Sequence, residues 1–463
     1  MSLPKNAANY KRYWDEERET MPQKQRDKVI LERIRHQLNY VYNKIPFYRN
    51  HYDKNGFKPD DVKHLEDFTT KVPIIEKKML LADQRENPPF GSYLGVPIED
   101  VLRINGSAGT TTGIPTYYGI SRRDWDRIGE IEAMCQWAAG IRPCDVVQIT
   151  YPFSLWLGGW GVLAGLDRIG SANFPLGLSE SERHLNLMHQ LKSTVLWSTP
   201  SYAIRLVEVA KEMGFDLRKS PVRMLIVAGE PGGRNPGTRK LIEDSWNACV
   251  HDSGSTSEMC PFQTNMECEE HAGTHLYTDE VYTEIVNVRN SNEPVLMGKR
   301  GAVVYTHLYR ESQPMIRMWA GDESYMVDDP CRCGRTYPRL PDGLMGRIDD
   351  MLVIRGANVY PSAIEDVLRK TKGIGVEFRI IVEKRGALDE ISVLAEYDPV
   401  AFPGLTEPSK KAALDKLAGE ASKAMKLSLG VRVPVCIVDA GSLERSTLKA
   451  KRVIDKRRLP KTN

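Results

Sequence analysis

The sequence carries little excess charge: 64 lysines and arginines stand against 61 aspartates and glutamates, a formal charge of +3. That balance gives no reason to expect a nucleic acid or an anionic membrane as partner. An apolar leader is also missing. The opening MSLPKNAANYKRYWDEERE is polar and charged, so a cytoplasmic location is expected. Long apolar runs are scarce. Residues 146–166 hold no charged side chain, but they include Pro152, Gly158, Gly159, Gly161 and Gly165. They read as a buried strand, a turn and a glycine-rich helix start rather than a spanning helix. Eight cysteines in 463 residues without a leader argue for thiols or metal ligands, not a disulfide framework. No internal repeat and no low-complexity tract is visible.

The most informative absence lies in residues 104–119, INGSAGTTTGIPTYYG, where four glycines, one serine and four threonines occur without a single lysine or arginine. A Walker loop needs a lysine after its last glycine to reach the β- and γ-phosphates. Here Ile114 follows Gly113, so that reading fails on its central residue. A loop of small residues remains, whose backbone N–H groups and hydroxyls can still cradle an anion. A plain glycine-rich hairpin explains the local sequence equally well.

The rest of the chain supplies context. Its first hundred residues read mostly as helix, with Ile30, Ile34, Leu38 and Val41 at helical spacing. Beyond Gly106 come short apolar runs between glycine and proline breaks: DVVQITYP, STVLWSTP, VRMLIVAGEP and ACVHDSG. Helical stretches such as PSYAIRLVEVAKEMGF lie between them. This alternation predicts an α/β lobe with sheets covered by helices, and ligands at the carboxyl ends of the strands. After Gly346 the pattern changes to helix, two strands, a long amphipathic helix and a further strand. A large domain over residues 1–346 and a small α+β domain over 347–463 are therefore expected.

Taken in order, SAGTTTGIPT, LWLGGWG, STPSY, AGEP, ECEEHAGTHLYTDEVYTEIV, PMIRMWAGDE, GRIDDMLVIRGANVYPSAIE and LERSTLKAKRVIDKR resemble the adenylate-forming superfamily of acyl-CoA synthetases. The specific resemblance is to its phenylacetate-CoA ligase branch, and it covers nearly the whole chain. It implies an ATP-dependent aryl- or arylacetate-CoA ligase that forms an acyl-adenylate, then the CoA thioester, and releases AMP and pyrophosphate.

By that resemblance, Ser107, Gly109, Thr110, Thr111, Thr112 and Gly113 hold the β- and γ-phosphates of ATP. Gly229, Glu230 and Pro231, with Asp252 and Ser253, border the adenine. Glu258 helps hold Mg2+, a hard cation suited to one carboxylate plus phosphates. Asp322 binds the ribose hydroxyls and Arg347 stays near the ribose or α-phosphate. Lys449 is the catalytic lysine, a cation that positions the acid and stabilises charge growing at the α-phosphate. It sits on the small domain, which is expected to be mobile, with Asp349 as its pivot and RGANVY bordering a passage for CoA.

Tyr151, Phe153 and Trp156 fall in the acid-binding stretch, where flat apolar walls suit an aromatic carboxylic acid. Packing in the core is the competing role, most of all for Phe153. Cys268, His275, Cys331 and Cys333 make a closed set for structural Zn2+, with no open position for catalysis; Cys260, His251 and His271 are reserve ligands. Three features depart from the family pattern. The phosphate loop has one threonine more and Ile114 in place of a frequent lysine, SGSTSE lacks the aromatic residue that packs on adenine, and Leu448 replaces a glycine before the lysine. Two other functions compete: transfer of the acyl group to a separate carrier protein, and a zinc-stabilised binding protein on a decayed ligase scaffold. Retention of Glu258, Asp322, Arg347, Asp349 and Lys449 speaks against the second. A homodimer is the assembly left open.

Overall fold

The computed structural model describes residues 10–107, 115–259, 263–354, 357–385, 388–403, 407–445 and 452–458. The chain divides into two compact units. One comprises Met1–Trp197, Pro221–Ala228 and His251–Met345; the other comprises Ser198–Ser220, Gly229–Val250 and Gly346–Asn463.

The larger unit is built on a mixed sheet. Its strand order is Arg339–Leu340, Thr274–Leu276, Asn265–Glu267, Cys249–Gly254, Met224–Val227, Val195–Ser198, Val146–Ile149 and Ala172–Pro175. Val146–Ile149 pairs parallel with both its neighbours, whereas Asn265–Glu267 and Thr274–Leu276 join antiparallel. The inner strands Val195–Ser198 and Met224–Val227 are short apolar runs buried along their length, as cover on both faces requires; the edge strand Ala172–Pro175 is partly exposed. A second sheet packs Asn290–Pro294, Val281–Asn287, Gly301–His307 and Met318–Ser324 antiparallel. A two-stranded hairpin, Val101–Gly106 with Tyr117–Ser121, stands apart from both. Among the described residues, no helix is long and apolar enough to cross a membrane. The charge-free stretch forms strand Val146–Ile149 and helix Gly158–Ile169.

Helix Arg122–Ala138 crosses helix Gly158–Ile169 at very close range. Gln136 Nε2 donates to the Val162 carbonyl at 3.0 Å, and burial holds the neighbouring Glu132 carboxyl well above its usual range. A Cβ on Gly165 would lie 2.6 Å from both Gln136 Nε2 and Glu132 Cβ.

In the smaller unit, helices Pro361–Lys370 and Glu407–Leu429 accompany a four-stranded sheet, ordered Val435–Val438, Leu388–Tyr397, Ile374–Arg385, Val453–Asp455. The central pair is antiparallel and each edge strand joins parallel. Its core gathers Ile364, Leu368, Phe378, Ile380, Val393 and Met425. Helix Pro236–Trp246 docks through Asn235 Nδ2, which donates to the Ser362 carbonyl at 2.9 Å, and through the Gly237 N–H to Asp366 Oδ1 at 3.0 Å.

Gly165→Ala is expected to cost about 1–3 kcal/mol by overpacking. Urea unfolding monitored by circular dichroism measures it, and an unchanged midpoint contradicts the close crossing.

Candidate active site

The glycine–threonine loop closes at a well-defined neck. Gly106 pairs with Tyr117 and Asn105 with Tyr118 across the hairpin. Beyond them the Ser107 N–H donates to the Thr116 carbonyl at 2.9 Å, and the Thr116 N–H donates back to Ser107 Oγ at 3.0 Å. Helix Lys77–Glu86 braces the exit, because Gln84 Nε2 donates to the Pro115 carbonyl at 3.0 Å and Gln84 Oε1 accepts the Tyr117 N–H at 2.8 Å. On the entry side the Gly106 N–H donates to the Leu155 carbonyl at 2.8 Å, which ties the neck to the aromatic stretch. Gly109, Thr110, Thr111, Thr112, Gly113 and Ile114 lie outside the described residues, as do Cys260, Leu448 and Lys449.

Glu258 is buried beside this neck. Its Oε1 lies 2.8 Å from Lys77 Nζ and 3.5 Å from the Tyr118 hydroxyl, which donates to it. Burial, then the charge of Glu258, pushes the Tyr118 phenol well above its ordinary range, so it stays a donor. Behind Glu258, His307 Nδ1 accepts the Met315 N–H at 3.0 Å and Nε2 donates to the Met259 carbonyl at 3.4 Å. Burial drives this imidazole well below its ordinary pKa, so it is neutral.

Asp252, Ser253 and Asp322 are buried in the same unit. The Asp252 N–H donates to Glu267 Oε2 at 3.1 Å, and Ser253 Oγ donates to Gln263 Oε1 at 2.7 Å. Asp322 lies close enough to Tyr305 for its charge to add to burial in raising that phenol's pKa. Five further described candidates, Gly229, Glu230, Pro231, Arg347 and Asp349, belong to the smaller unit. Glu230, between Gly229 and Pro231, accepts the Ser201 N–H at 2.8 Å. Arg347 and Asp349 are exposed and 3.6 Å apart.

The aromatic residues form a wall packed on itself. Tyr151 is 2% exposed and meets Trp156 edge-on at 5.2 Å and Trp197 at 6.1 Å. The Trp156 ring folds back so far that a Cβ on Gly158 would sit 2.3 Å from it. Phe153 packs edge-on against Trp160 at 5.1 Å. His184 supports this wall from below. Its Nε2 donates to the Gly177 carbonyl at 3.1 Å while Nδ1 accepts from Gln148 Nε2 at 3.1 Å, and Gly177 lies against Phe153. Burial lowers the His184 pKa to about 4.

Cys268, His275, Cys331 and Cys333 are brought together, all ligand atoms within 4.8 Å of one another and all buried. Cys268 and Cys331 sulfurs are 3.8 Å apart, and Cys333 Sγ is 3.3 Å from His275 Nε2. His275 Nδ1 donates to the Tyr337 carbonyl at 3.3 Å, which turns Nε2 to the thiols. Hydrogen bonds from the Cys268 thiol hold Cys331 and Cys333 below the usual thiol range. The reserve histidines, His251 and His271, have ring centroids 4.5 Å apart with planes tilted by 47°; they lie outside the four-residue cluster and group with Cys249 instead.

Residues 356–457 match the model of the AMP-binding enzyme C-terminal domain. The phenylacetate-coenzyme A ligase of Thermus thermophilus is 31% identical over 454 residues, 96% of this chain and 99% of its own length. The chain belongs to this branch of the adenylate-forming enzymes. The Escherichia coli phenylacetate-coenzyme A ligase is 32% identical over 92% of this chain and 94% of its own. A solved 2-hydroxyisobutyryl-CoA ligase, in its postadenylation state with R3-HIB-AMP, is 40% identical with a TM-score of 0.92, covering 98% of this chain and 94% of that one. This chain is an AMP-forming acid–thiol ligase of α/β fold. Sequence reasoning did not anticipate Lys77, Gln84 and Tyr118, which the structure places against Glu258 and the loop's neck; a loop without a cation of its own was the one signal that pointed beyond it.

The sign of the His184 shift fixes a pH dependence. The unfolded chain binds this proton near pH 6.5 and the folded chain only near 4, so stability falls as pH drops through that window. The full shift corresponds to roughly 3 kcal/mol. His184→Gln is expected to flatten this part of the unfolding-midpoint profile; a profile parallel to that of the unsubstituted protein contradicts the assignment.

Proposed function

We propose that the acid activated by this ligase is a compact one, of the branched or 2-hydroxy type, seated against the wall of Tyr151 and Trp156. The self-packing of those rings carries this reading, because a wall whose rings fill one another's space favours a short acyl group. The 40% identity to a ligase solved with 2-HIB-AMP agrees with it. An aromatic acid is the second reading, supported by four relatives named phenylacetate-coenzyme A ligase. A carrier protein as acceptor is less favoured, since these relatives are named for coenzyme A. A cytoplasmic location suits the supply of ATP and CoA.

The chemistry runs in two steps. A carboxylate oxygen attacks the α-phosphorus of ATP, the bond to the β-phosphate breaks and pyrophosphate leaves. The CoA sulfur then attacks the acyl carbon, the carbon–oxygen bond breaks and AMP departs. Glu258 has the charge, burial and attached cation expected of a carboxylate that shares Mg2+ with phosphates; the metal would supply charge neutralisation there. The loop 107–113 would bind the β- and γ-phosphates, while Asp252, Ser253 and residues 229–231 would border adenine. Asp322 would take the ribose hydroxyls and Arg347 the α-phosphate side. Lys449, on a mobile domain 347–463 that pivots at Asp349, would bridge acid and α-phosphate.

A screen of 2-hydroxyisobutyrate, phenylacetate and benzoate with ATP and CoA, reading AMP and thioester, tests the acid. The compact acid is expected to give the highest kcat/KM, and a benzoate or phenylacetate preference overturns that choice. Lys449→Ala is expected to slow adenylation by at least ~100-fold, while thioester formation from supplied acyl-adenylate changes little. Equal loss in both steps contradicts the role of Lys449.

The cysteine cluster fits structural Zn2+. Two sulfurs on a tetrahedral ion with ~2.3 Å bonds stand about 3.8 Å apart, matching the spacing of Cys268 and Cys331. The loop carrying Cys333 also receives the amino-terminal segment, with the Tyr13 hydroxyl donating to the Cys333 carbonyl at 3.1 Å and the Thr336 N–H to the Glu19 carbonyl at 3.0 Å. About one zinc per chain is expected by plasma mass spectrometry. Cys331→Ser should lose it and melt several degrees lower; a metal-free protein with unchanged melting contradicts the site.

A further inference from the structure

The phosphate loop has no lysine or arginine of its own, and helix Lys77–Glu86 makes two contacts that bear on this. Gln84 holds the exit of the loop through Pro115 and Tyr117. Lys77, seven residues earlier and so on the same face two turns away, places its ammonium on Glu258. One face of one helix therefore touches both the loop and the carboxylate assigned to the metal.

Lys77 could be an ordinary surface ion pair, and two observations argue against that. Its partner carboxylate is only 7% exposed, whereas surface pairs join two solvated groups. Lys77 also stands at the first position of its helix, whose first turn holds no acidic residue. A cation there opposes the helix dipole, so helix stability does not account for it. The side chain of Lys77 is 42% exposed, and its long stem leaves the ammonium room to swing.

We propose that Lys77 is the cation of the triphosphate site. It neutralises Glu258 until a divalent cation arrives with ATP, then yields that carboxylate to the metal and turns to an oxygen of the β- or γ-phosphate. Lys77 and the metal compete for one carboxylate oxygen, and the incoming phosphates compensate the displaced charge. This rests on the reading of Glu258 as the metal-binding acid. It answers what the loop's composition left unexplained: the charge that a Walker lysine supplies from within the loop comes here from a helix that also braces the loop's neck.

Calorimetric titration with ATP in saturating Mg2+, and Mn2+ binding without nucleotide followed by electron paramagnetic resonance, test the proposal on the full chain. Lys77→Gln is expected to bind MgATP about tenfold more weakly, the loss of one charge-assisted contact, and to bind Mn2+ severalfold more tightly. Lys77→Arg should restore most of the MgATP affinity. Lys78→Gln, at a neighbour 76% exposed and paired with Glu76, should change neither, and matched melting curves exclude misfolding. If the unsubstituted protein binds MgATP and Lys77→Gln binds MgATP and Mn2+ equally well, the role of Lys77 is overturned and the ligase reading stands. If the unsubstituted protein binds no MgATP, the ligase reading of the site fails, and the proposal with it.

Discussion

The reciprocal pair of hydrogen bonds between Ser107 and Thr116 is the constraint on which the site depends. It closes the hairpin before the glycine–threonine loop begins, and so fixes where both ends of that loop enter and leave. Gln84 grips the exit and the Leu155 carbonyl grips the entry. The same neck is thereby joined to the helix that carries Lys77 and to the stretch that carries the aromatic wall.

Around this neck, burial keeps several ionisable groups neutral. The phenol of Tyr118 holds its proton, while His307 and His184 stay unprotonated. Each spends its hydrogen-bonding capacity on fixed partners. His307 holds the carbonyl of Met259, next to Glu258, and His184 holds the carbonyl of Gly177 under Phe153. Charged groups among the described residues beside them include Glu258 and Lys77, which pair, and the buried Arg310, which donates to the Gly119 carbonyl; buried charges of this kind act strongly on the local field. That arrangement suits a reaction in which a polyanion enters and a doubly charged cation comes with it.

Much of the architecture was legible in the sequence because its punctuation is strong. Runs such as MLIV before AGEP, and VLWS before TPSY, are short, apolar and ended by glycine or proline, and each is a strand. The split of the charge-free stretch into a strand and a glycine-rich helix followed from the same breaks. The grouping of Cys268, His275, Cys331 and Cys333 was readable too, from the close pairing of cysteines within two short segments of the chain. Lys77 and Gln84 were not readable. They sit in KKMLLADQRE, a charged helix like many others, and their partners are far along the chain. The folding of Trp156 onto Gly158 was equally hidden, because composition indicates rings but not whether they face a ligand or one another. At that step the rings read as a pocket for an aromatic acid, and only which aromatic acid stayed open.

Oxygen transfer tests the account most directly. With the carboxylate of the acid labelled by 18O, attack at the α-phosphorus leaves one labelled oxygen bridging acyl group and AMP, and thiol attack at the acyl carbon leaves it on AMP. Mass spectrometry of the products is therefore predicted to find a single 18O in AMP and none in pyrophosphate. Label in inorganic phosphate, with ADP as the nucleotide product, would contradict attack at the α-phosphate and with it the site assembled here around Ser107, Glu258 and Lys77.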